Sequence, residues 1–236
     1  MLQLFVEPFF NRGPNMPIKG IIFDLDGVLV DTVPVHFAAW KHMFEGYGYK
    51  FGKREYRTLV DGRPRFDGAR AVMTDHSDQE IREAADKKND YYVEKIDKGE
   101  FQVFDAAVVL VRQCQAAGLG LAAASSSANV KTVLEKAGLL DAFSVVIGGD
   151  DVENGKPDPE IFLTAAQGLG LKVEECIVIE DSSSGVQAAK NGGFYCVGLQ
   201  HENDTSDLQG ADQIVSSLAE VNVEQLETSM ALLPST

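Results

Sequence analysis

Six short apolar runs rich in β-branched residues alternate with helical patterns along this chain, and that alternation decides most of what it can fold into. The first run spans residues 18–23 and ends at Asp24; similar runs follow at 119–124, 145–147, 176–179, 194–197 and 213–215. Helical patterns fill the intervals at 105–117, 128–136, 159–169 and 183–191. Apolar runs of this length read as buried strands. Strand then helix, repeated, predicts an α/β fold: a Rossmann-like, doubly wound parallel sheet with helices on both faces. Ligands in such sheets bind outside the carboxyl ends of the strands. The residues directly after each run are therefore the ones to question for chemistry.

The stretch from about 32 to 99 breaks the rhythm. It shows no convincing strand and at least three helical patterns. Val33, Phe37, Trp40 and Phe44 keep helical spacing, with Pro34 tolerated in the first turn, and Ile81, Ala85, Tyr92 and Ile96 mark another helix. The expected organisation is an extension over 1–16, a core domain from 17–31 and 100–236, and an inserted all-helical cap over 32–99, lying over the sheet edge.

Composition sets limits. A chain of 236 residues with 44% apolar and 24% charged residues can bury a real core as one or two domains. It carries 21 basic and 36 acidic residues, a net charge of −15, which argues against nucleic acid and anionic membrane partners. An anionic substrate would need local cations against that background. No apolar run reaches the ~18 residues of a membrane span. Cys114, Cys176 and Cys196 are odd in number and none has C-x-x-C spacing, so buried reduced thiols and a cytoplasmic location are expected. The first fifteen residues lack the basic start and long apolar stretch of a signal peptide, and ordered sequence is expected to begin just after Met16.

Chemistry-bearing residues cluster where the strands end. Asp24-Leu25-Asp26-Gly27-Val28 follows the first run, and its two carboxylates, two residues apart, point the same way. One can attack phosphorus while the other handles protons; an Asp-Gly turn closing a strand is the plainer alternative. Ser125-Ser126-Ser127 follows the second run and can hold phosphate oxygens, or be a polar loop. Lys156 precedes a helix and can neutralise Asp24, or be a solvated turn residue. Glu180 and Asp181 end a later run and can bind Mg²⁺, which wants hard oxygen ligands, or cap a helix. Singly each bland reading is respectable. Jointly they leave unexplained why hydroxyl, lysine and paired acids all fall at carboxyl ends of strands in one sheet.

In order and spacing, Asp24–Val28, Ser125, Lys156 and Glu180-Asp181 resemble the four motifs of the haloacid dehalogenase superfamily, and the position of the helical insert is similar to that of its capped members. The likeness spans nearly all of residues 17–226. Within that superfamily it is greatest to the β-phosphoglucomutases: DLDGVLVDT with Thr32, then His36 and Trp40; Gly62-Arg63-Pro64-Arg65; Lys88-Asn89-Asp90; and Ser125, Ser126, Ser127 and Asn129. The resemblance implies that Asp24 is the nucleophile, Asp26 the acid and base, and Ser125 and Lys156 the holders of the phosphoryl group. It implies Mg²⁺ on Asp24, the Asp26 carbonyl, Glu180 and Asp181. It implies a phosphorylated sugar bound by Thr32, His36, Trp40, Gly62, Arg65, Lys88, Ser126, Ser127 and Asn129. The implied reaction interconverts β-glucose 1-phosphate and glucose 6-phosphate through an aspartyl-phosphate and a sugar bisphosphate; a sugar-phosphate phosphatase is the alternative, and a monomer is expected.

Lys88 also stands out on its own, because at 100° per residue it shares the stripe of Ile81, Ala85, Tyr92 and Ile96. An inward lysine wants an anionic partner, which a phosphate would supply; the alternative is a stem that snorkels to water. His36 and Trp40 can equally be cap core, and Arg65 a surface charge. The chain departs from the mutase pattern at Ala128, where a lysine is usual, and at Asp105-Ala106 in place of Pro-Gly. The stretch VDGRPRFDGAR also resembles a branch of mutase-like proteins associated with disaccharide phosphorylases.

Overall fold

A computed structural model of the chain describes residues 18–202, 207–224 and 226, and the expected extension over 1–16 lies outside them. In chain order the elements are β1 (Gly20–Phe23), β2 (Val30–Asp31), α1 (Val33–Gly46), a short α2 (Lys53–Glu55), α3 (Arg65–Val72), α4 (Asp78–Asp97), β3 (Gln102–Val103), α5 (Asp105–Ala116), β4 (Gly120–Ala124), α6 (Val130–Lys136), β5 (Val145–Ile147), α7 (Glu160–Gly168), β6 (Cys176–Glu180), α8 (Ser183–Asn191), β7 (Tyr195–Leu199) and β8 (Gln213–Val215). Six strands form one sheet in the order β5-β4-β1-β6-β7-β8, every neighbouring pair parallel. Each apolar run of the sequence has become one of these strands, and the fold is the doubly wound α/β sheet with a helical cap that the alternation predicts.

The strands are apolar throughout because both faces are covered. On β1, Ile21 and Phe23 join one core cluster while Ile22 joins the other, and β6 splits the same way, Ile177 and Ile179 against Cys176 and Val178. Full burial of such side chains contributes roughly 1.5–3 kcal/mol each. The three cysteines are buried free thiols, and burial pushes Cys114 up to about 11 and Cys176 up to about 12. Successive strands build outward from β1 to β5 on one side and then from β6 to β8 on the other. The reversal of direction falls at β1, so the crevice beyond its carboxyl end is the expected ligand site.

Two strands escaped the sequence pattern. β2 and β3 pair antiparallel, Val30 with Val103 and Asp31 with Gln102, and Phe104 N–H donates to Leu29 O at 3.1 Å. They are the two chain crossings between sheet and cap, and two residues each are too few to show alternation. In the cap, Trp40, Met43, Phe44, Phe51, Tyr56, Val60, Met73 and Ile81 make a separate core. The inner ends of α1 and α4 instead pack on the sheet domain through Val35, Ala39, Tyr92 and Ile96. Ser77 starts α4 with a capping box, Glu80 Oε2 accepting from Ser77 N–H at 2.8 Å. A π-helical turn, Tyr56–Val60, leads into the Gly62–Arg65 loop. Among the described residues no helix is long and apolar enough to cross a membrane.

Candidate active site

Backbone ladders fix the site residues before side chains are considered. Asp24 N–H donates to Ile179 O at 2.9 Å and Ser125 N–H to Ile147 O at 3.1 Å, so each residue continues its strand by one hydrogen bond. Asp24, Ser125 and Glu180 thus stand at the carboxyl ends of β1, β4 and β6, the three central strands. Lys156 reaches them from the loop before α7, only 4% exposed. It forms ion pairs with Asp24 and, at 2.6 Å, with Glu180 Oε1.

The two carboxylates of the first motif sit in different surroundings. Burial pushes the Asp24 carboxyl up; Lys156 opposes this, while the charges of Glu180 and Asp26 add to it. Burial works on Asp26 too, but His36 and hydrogen bonds from His36, Thr32 and Ser125 outweigh it and hold Asp26 below the usual carboxylate range. Thr32 Oγ1 donates to Asp26 Oδ1, and Ser125 Oγ donates to Oδ2 at 2.8 Å. His36 Nε2 meets Oδ1 at 3.1 Å and Nδ1 meets Lys88 Nζ at 2.9 Å. Burial, then the charge of Lys88, lowers the His36 imidazole. The neutral ring therefore accepts from Lys88 at Nδ1 and donates to Asp26 from Nε2. A chain of contacts runs from the cap helix α4 to the core carboxylate.

Lys88 is buried at 5% exposure, as its stripe predicts. Besides His36 it has the rings of Trp40 and Tyr92, each 5.0 Å from Nζ. Burial lowers it to about 7, Asp26 pulling the other way and Arg65 adding to the fall. Trp40 stacks on Phe44 in the cap core and also faces the cavity.

Both carboxylate oxygens of Glu180 have neighbours. Its Oε1 is on Lys156, and its Oε2 accepts from Ser182 N–H at 2.7 Å and Ser182 Oγ at 3.0 Å. A Cβ on Gly185 would lie 1.7 Å from Glu180 Oε1, so the glycine leaves room for that carboxylate over the start of α8. The Asp26 carboxylate is likewise occupied by Thr32, His36 and Ser125. Among the described residues no three acidic, histidine or cysteine side chains gather as a metal cage. Asp24 and Asp181 remain. Asp181 is 5% exposed, and among the described residues its carboxylate receives neither hydrogen bond nor ion pair. Burial, then Glu180, Asp24 and Asp61, push it up. It lies against the first motif, because a Cβ on Gly27 would come within 2.0 Å of Asp181 Oδ2. Two carboxylates and backbone oxygens suit Mg²⁺, which binds through one or two carboxylates and keeps several waters for a phosphate to replace.

The cap loop closes the cavity. Ser126 Oγ donates to Gly62 O at 2.7 Å. Arg65 Nη1 meets Asp150 Oδ1 at 3.1 Å, with Asp86 3.8 Å from Nε. The cavity beneath the loop measures about 60 Å³. Asp24, Asp26, His36, Trp40, Gly62, Arg65, Lys88, Ser125, Ser126, Ser127, Lys156, Glu180 and Asp181 all line it. Thr32 and Asn129 do not. Thr32 is wholly buried behind Asp26, and Asn129 Nδ2 donates to Asn89 Oδ1 at 2.8 Å. Arg63, Asn89 and Ser182 line the cavity although they were not among the candidates. Their neighbours Gly62, Lys88 and Asp181 were, so adjacency within the motifs was the available signal.

The model for haloacid dehalogenase-like hydrolases matches residues 18–193. A β-phosphoglucomutase of Bacillus subtilis (strain 168) is 31% identical, covering 89% of this chain and 94% of its own. A validoxylamine A 7'-phosphate phosphatase of Streptomyces hygroscopicus subsp. limoneus is 32% identical over 86% of this chain and 95% of its own. Among solved structures, a β-phosphoglucomutase from Clostridium difficile superposes with a TM-score of 0.83 at 28% identity, covering 90% of this chain and 97% of the other.

Proposed function

Because the chain belongs to the haloacid dehalogenase-like hydrolase family, we propose that it is a Mg²⁺-dependent phosphotransferase of sugar phosphates that works through an aspartyl-phosphate on Asp24. One observation carries this reading. Asp24 and Asp26 leave the central strand together, yet Asp24 faces Lys156 and Asp181, while Asp26 is held by a core hydroxyl and a cap imidazole. Two carboxylates in unlike environments divide the labour of nucleophile and acid–base.

Asp24 and Asp181, with the Asp26 carbonyl, would hold Mg²⁺. When bound, the ion offsets repulsion between carboxylate and phosphate and reverses the burial that pushes Asp24 up. Lys156 holds the phosphoryl oxygens with Ser125, whose Oγ also accepts from Ser127 N–H at 3.0 Å. Asp26, held as the carboxylate by Thr32, His36 and Ser125, would take the proton of the hydroxyl that accepts the phosphoryl group and return that proton to the departing oxygen when the transfer runs back to Asp24. His36 reaches Asp26 from the cap, so the acid–base group is oriented when cap meets core. A sugar hydroxyl would be that acceptor once a bound substrate displaces water from the cavity. The favoured reaction is interconversion of β-glucose 1-phosphate and glucose 6-phosphate.

The second reading, a sugar-phosphate phosphatase, draws on the similarity to a phosphatase and on Ala128, which puts no cation at its place on the cavity wall. The two part under NMR of the protein with β-glucose 1-phosphate, Mg²⁺ and glucose 1,6-bisphosphate. Glucose 6-phosphate forming without bulk phosphate release supports the mutase; free phosphate in step with substrate loss supports the phosphatase.

A further inference from the structure

The turn that follows β1 is tied down mostly by its own backbone. Gly27 N–H donates to Val30 O at 2.8 Å, Leu29 N–H to Leu25 O at 2.9 Å, and Phe104 N–H to Leu29 O at 3.1 Å. The Gly27 carbonyl has a different kind of partner: His201 Nε2, 2.5 Å away and 174 residues further along the chain. A carbonyl only accepts, so Nε2 of this imidazole carries a proton and donates it. The same ring stacks on Phe104, with 5.4 Å between centroids and 26° between planes. His201 lies just after β7 and is not among the residues that line the cavity.

Gly27 is the residue of this turn least able to hold itself. Its backbone is left-handed, at φ +86°, and a Cβ would lie 2.0 Å from Asp181 Oδ2. A residue without a Cβ has more conformations open to it, so hydrogen bonds must orient the two peptides that flank it. On one side, the bond to Val30 O fixes the Asp26–Gly27 peptide. That peptide is planar and trans, so the Asp26 carbonyl is aimed away from Val30. On the other side, Val28 N–H reaches Leu25 O only at 3.3 Å, and His201 holds the carbonyl end of the same peptide. Among the described residues no hydrogen bond reaches the Asp26 carbonyl, which leaves it available as an oxygen ligand.

Given the phosphotransferase reading of this site, we propose that His201 is a positioning residue for Mg²⁺: by holding the Gly27 carbonyl it fixes the turn that presents the Asp26 carbonyl, and so raises the affinity of the site for the ion. Partners behind the ligands set metal affinity by orienting them. The stack on Phe104, the residue after β3, braces the ring against the chain crossing that returns from the cap.

The test separates the hydrogen-bond donor from the ring. Mg²⁺ affinity of the full chain is measured by calorimetry for wild type, His201→Leu and His201→Gln, with Asp181→Ala defining which binding belongs to this site. Leucine keeps an apolar side chain against Phe104 and has no donor, whereas glutamine restores an N–H. Urea midpoints in Mg²⁺-free buffer report folding separately. One neutral hydrogen bond corresponds to roughly fivefold, so His201→Leu should weaken Mg²⁺ binding by about that factor, with His201→Gln recovering most of it. Unchanged affinity in His201→Leu, or an equal loss in both variants, overturns the assignment and leaves the phosphotransferase reading standing. A wild type with no Asp181-dependent Mg²⁺ site overturns that reading and the assignment with it.

Discussion

Replacing Lys88 by methionine should stabilise the ligand-free protein, and by an amount that shrinks as pH rises. The ammonium is 5% exposed with a neutral imidazole as its hydrogen-bond partner. Burial lowers it from 10.5 to about 7. The folded chain therefore holds this proton less tightly than the unfolded chain. Between about pH 7 and pH 10.5 the unfolded state binds more protons, so stability from this group rises with pH across that window and is lowest below it. The linkage integral puts the penalty at roughly 4 kcal/mol at pH 7 and roughly 1 kcal/mol at pH 9.5. Methionine keeps the stem and removes the penalty, but gives up the contact to His36, about 1 kcal/mol. The expected net gain is about 3 kcal/mol at pH 7 and near zero at pH 9.5. Urea unfolding in buffer free of phosphate and Mg²⁺ measures it, and Trp40, the single tryptophan, reports the transition. A loss of stability at both pH values, or a gain independent of pH, would refute the reasoning.

Asp24→Asn should abolish turnover and phosphate incorporation into the protein while circular dichroism stays native, since an amide cannot act as the nucleophile; retained turnover in a clean preparation would sink the mechanism. Asp181→Ala should weaken Mg²⁺ binding and activity together, and a calorimetric titration with unaltered affinity would move the metal elsewhere. Gly62→Ala forces a side chain into φ +70° and to 2.1 Å from Ser184 Oγ. It should cost about 1–2 kcal/mol of stability, read as a lowered urea midpoint, with a larger loss of activity because the loop can no longer seat on the core.

The sheet was legible because both of its faces are buried. A strand such as Cys176–Glu180 has to be apolar at consecutive positions, and its end is marked by the first acidic residues. The helical insert was legible because Ile81, Ala85, Tyr92 and Ile96 keep helical spacing, and Lys88, which shares their stripe, is buried with them. Illegible were features made by contact between distant segments. β2 and β3 exist only as each other's partner. Glu180 turns to Lys156 and Ser182 because a helix start and a lysine arrive there in three dimensions. Glu180 and Asp181 are neighbours in sequence, and folding gives their carboxylates different surroundings.

The charge balance of the cavity says what the cap is for. Its core wall brings four carboxylates, Asp24, Asp26, Glu180 and Asp181, against one lysine, Lys156. The other three cations, Arg63, Arg65 and Lys88, all come from the cap. The core alone is anionic and repels a phosphorylated sugar unless a divalent cation intervenes. The closed cap without a ligand is also uncomfortable, because Arg65 helps to depress Lys88 and Arg65 itself needs Asp150. On the proposed function, a ligand with a phosphate at each end would resolve both, with one phosphate among Asp24, Lys156 and the metal and the other among the cap cations. Differential affinity of this kind is what a ligand needs to shift an open–closed equilibrium. On the proposed function, the closed state would form around the substrate to be turned over, and it is the state in which His36 meets Asp26.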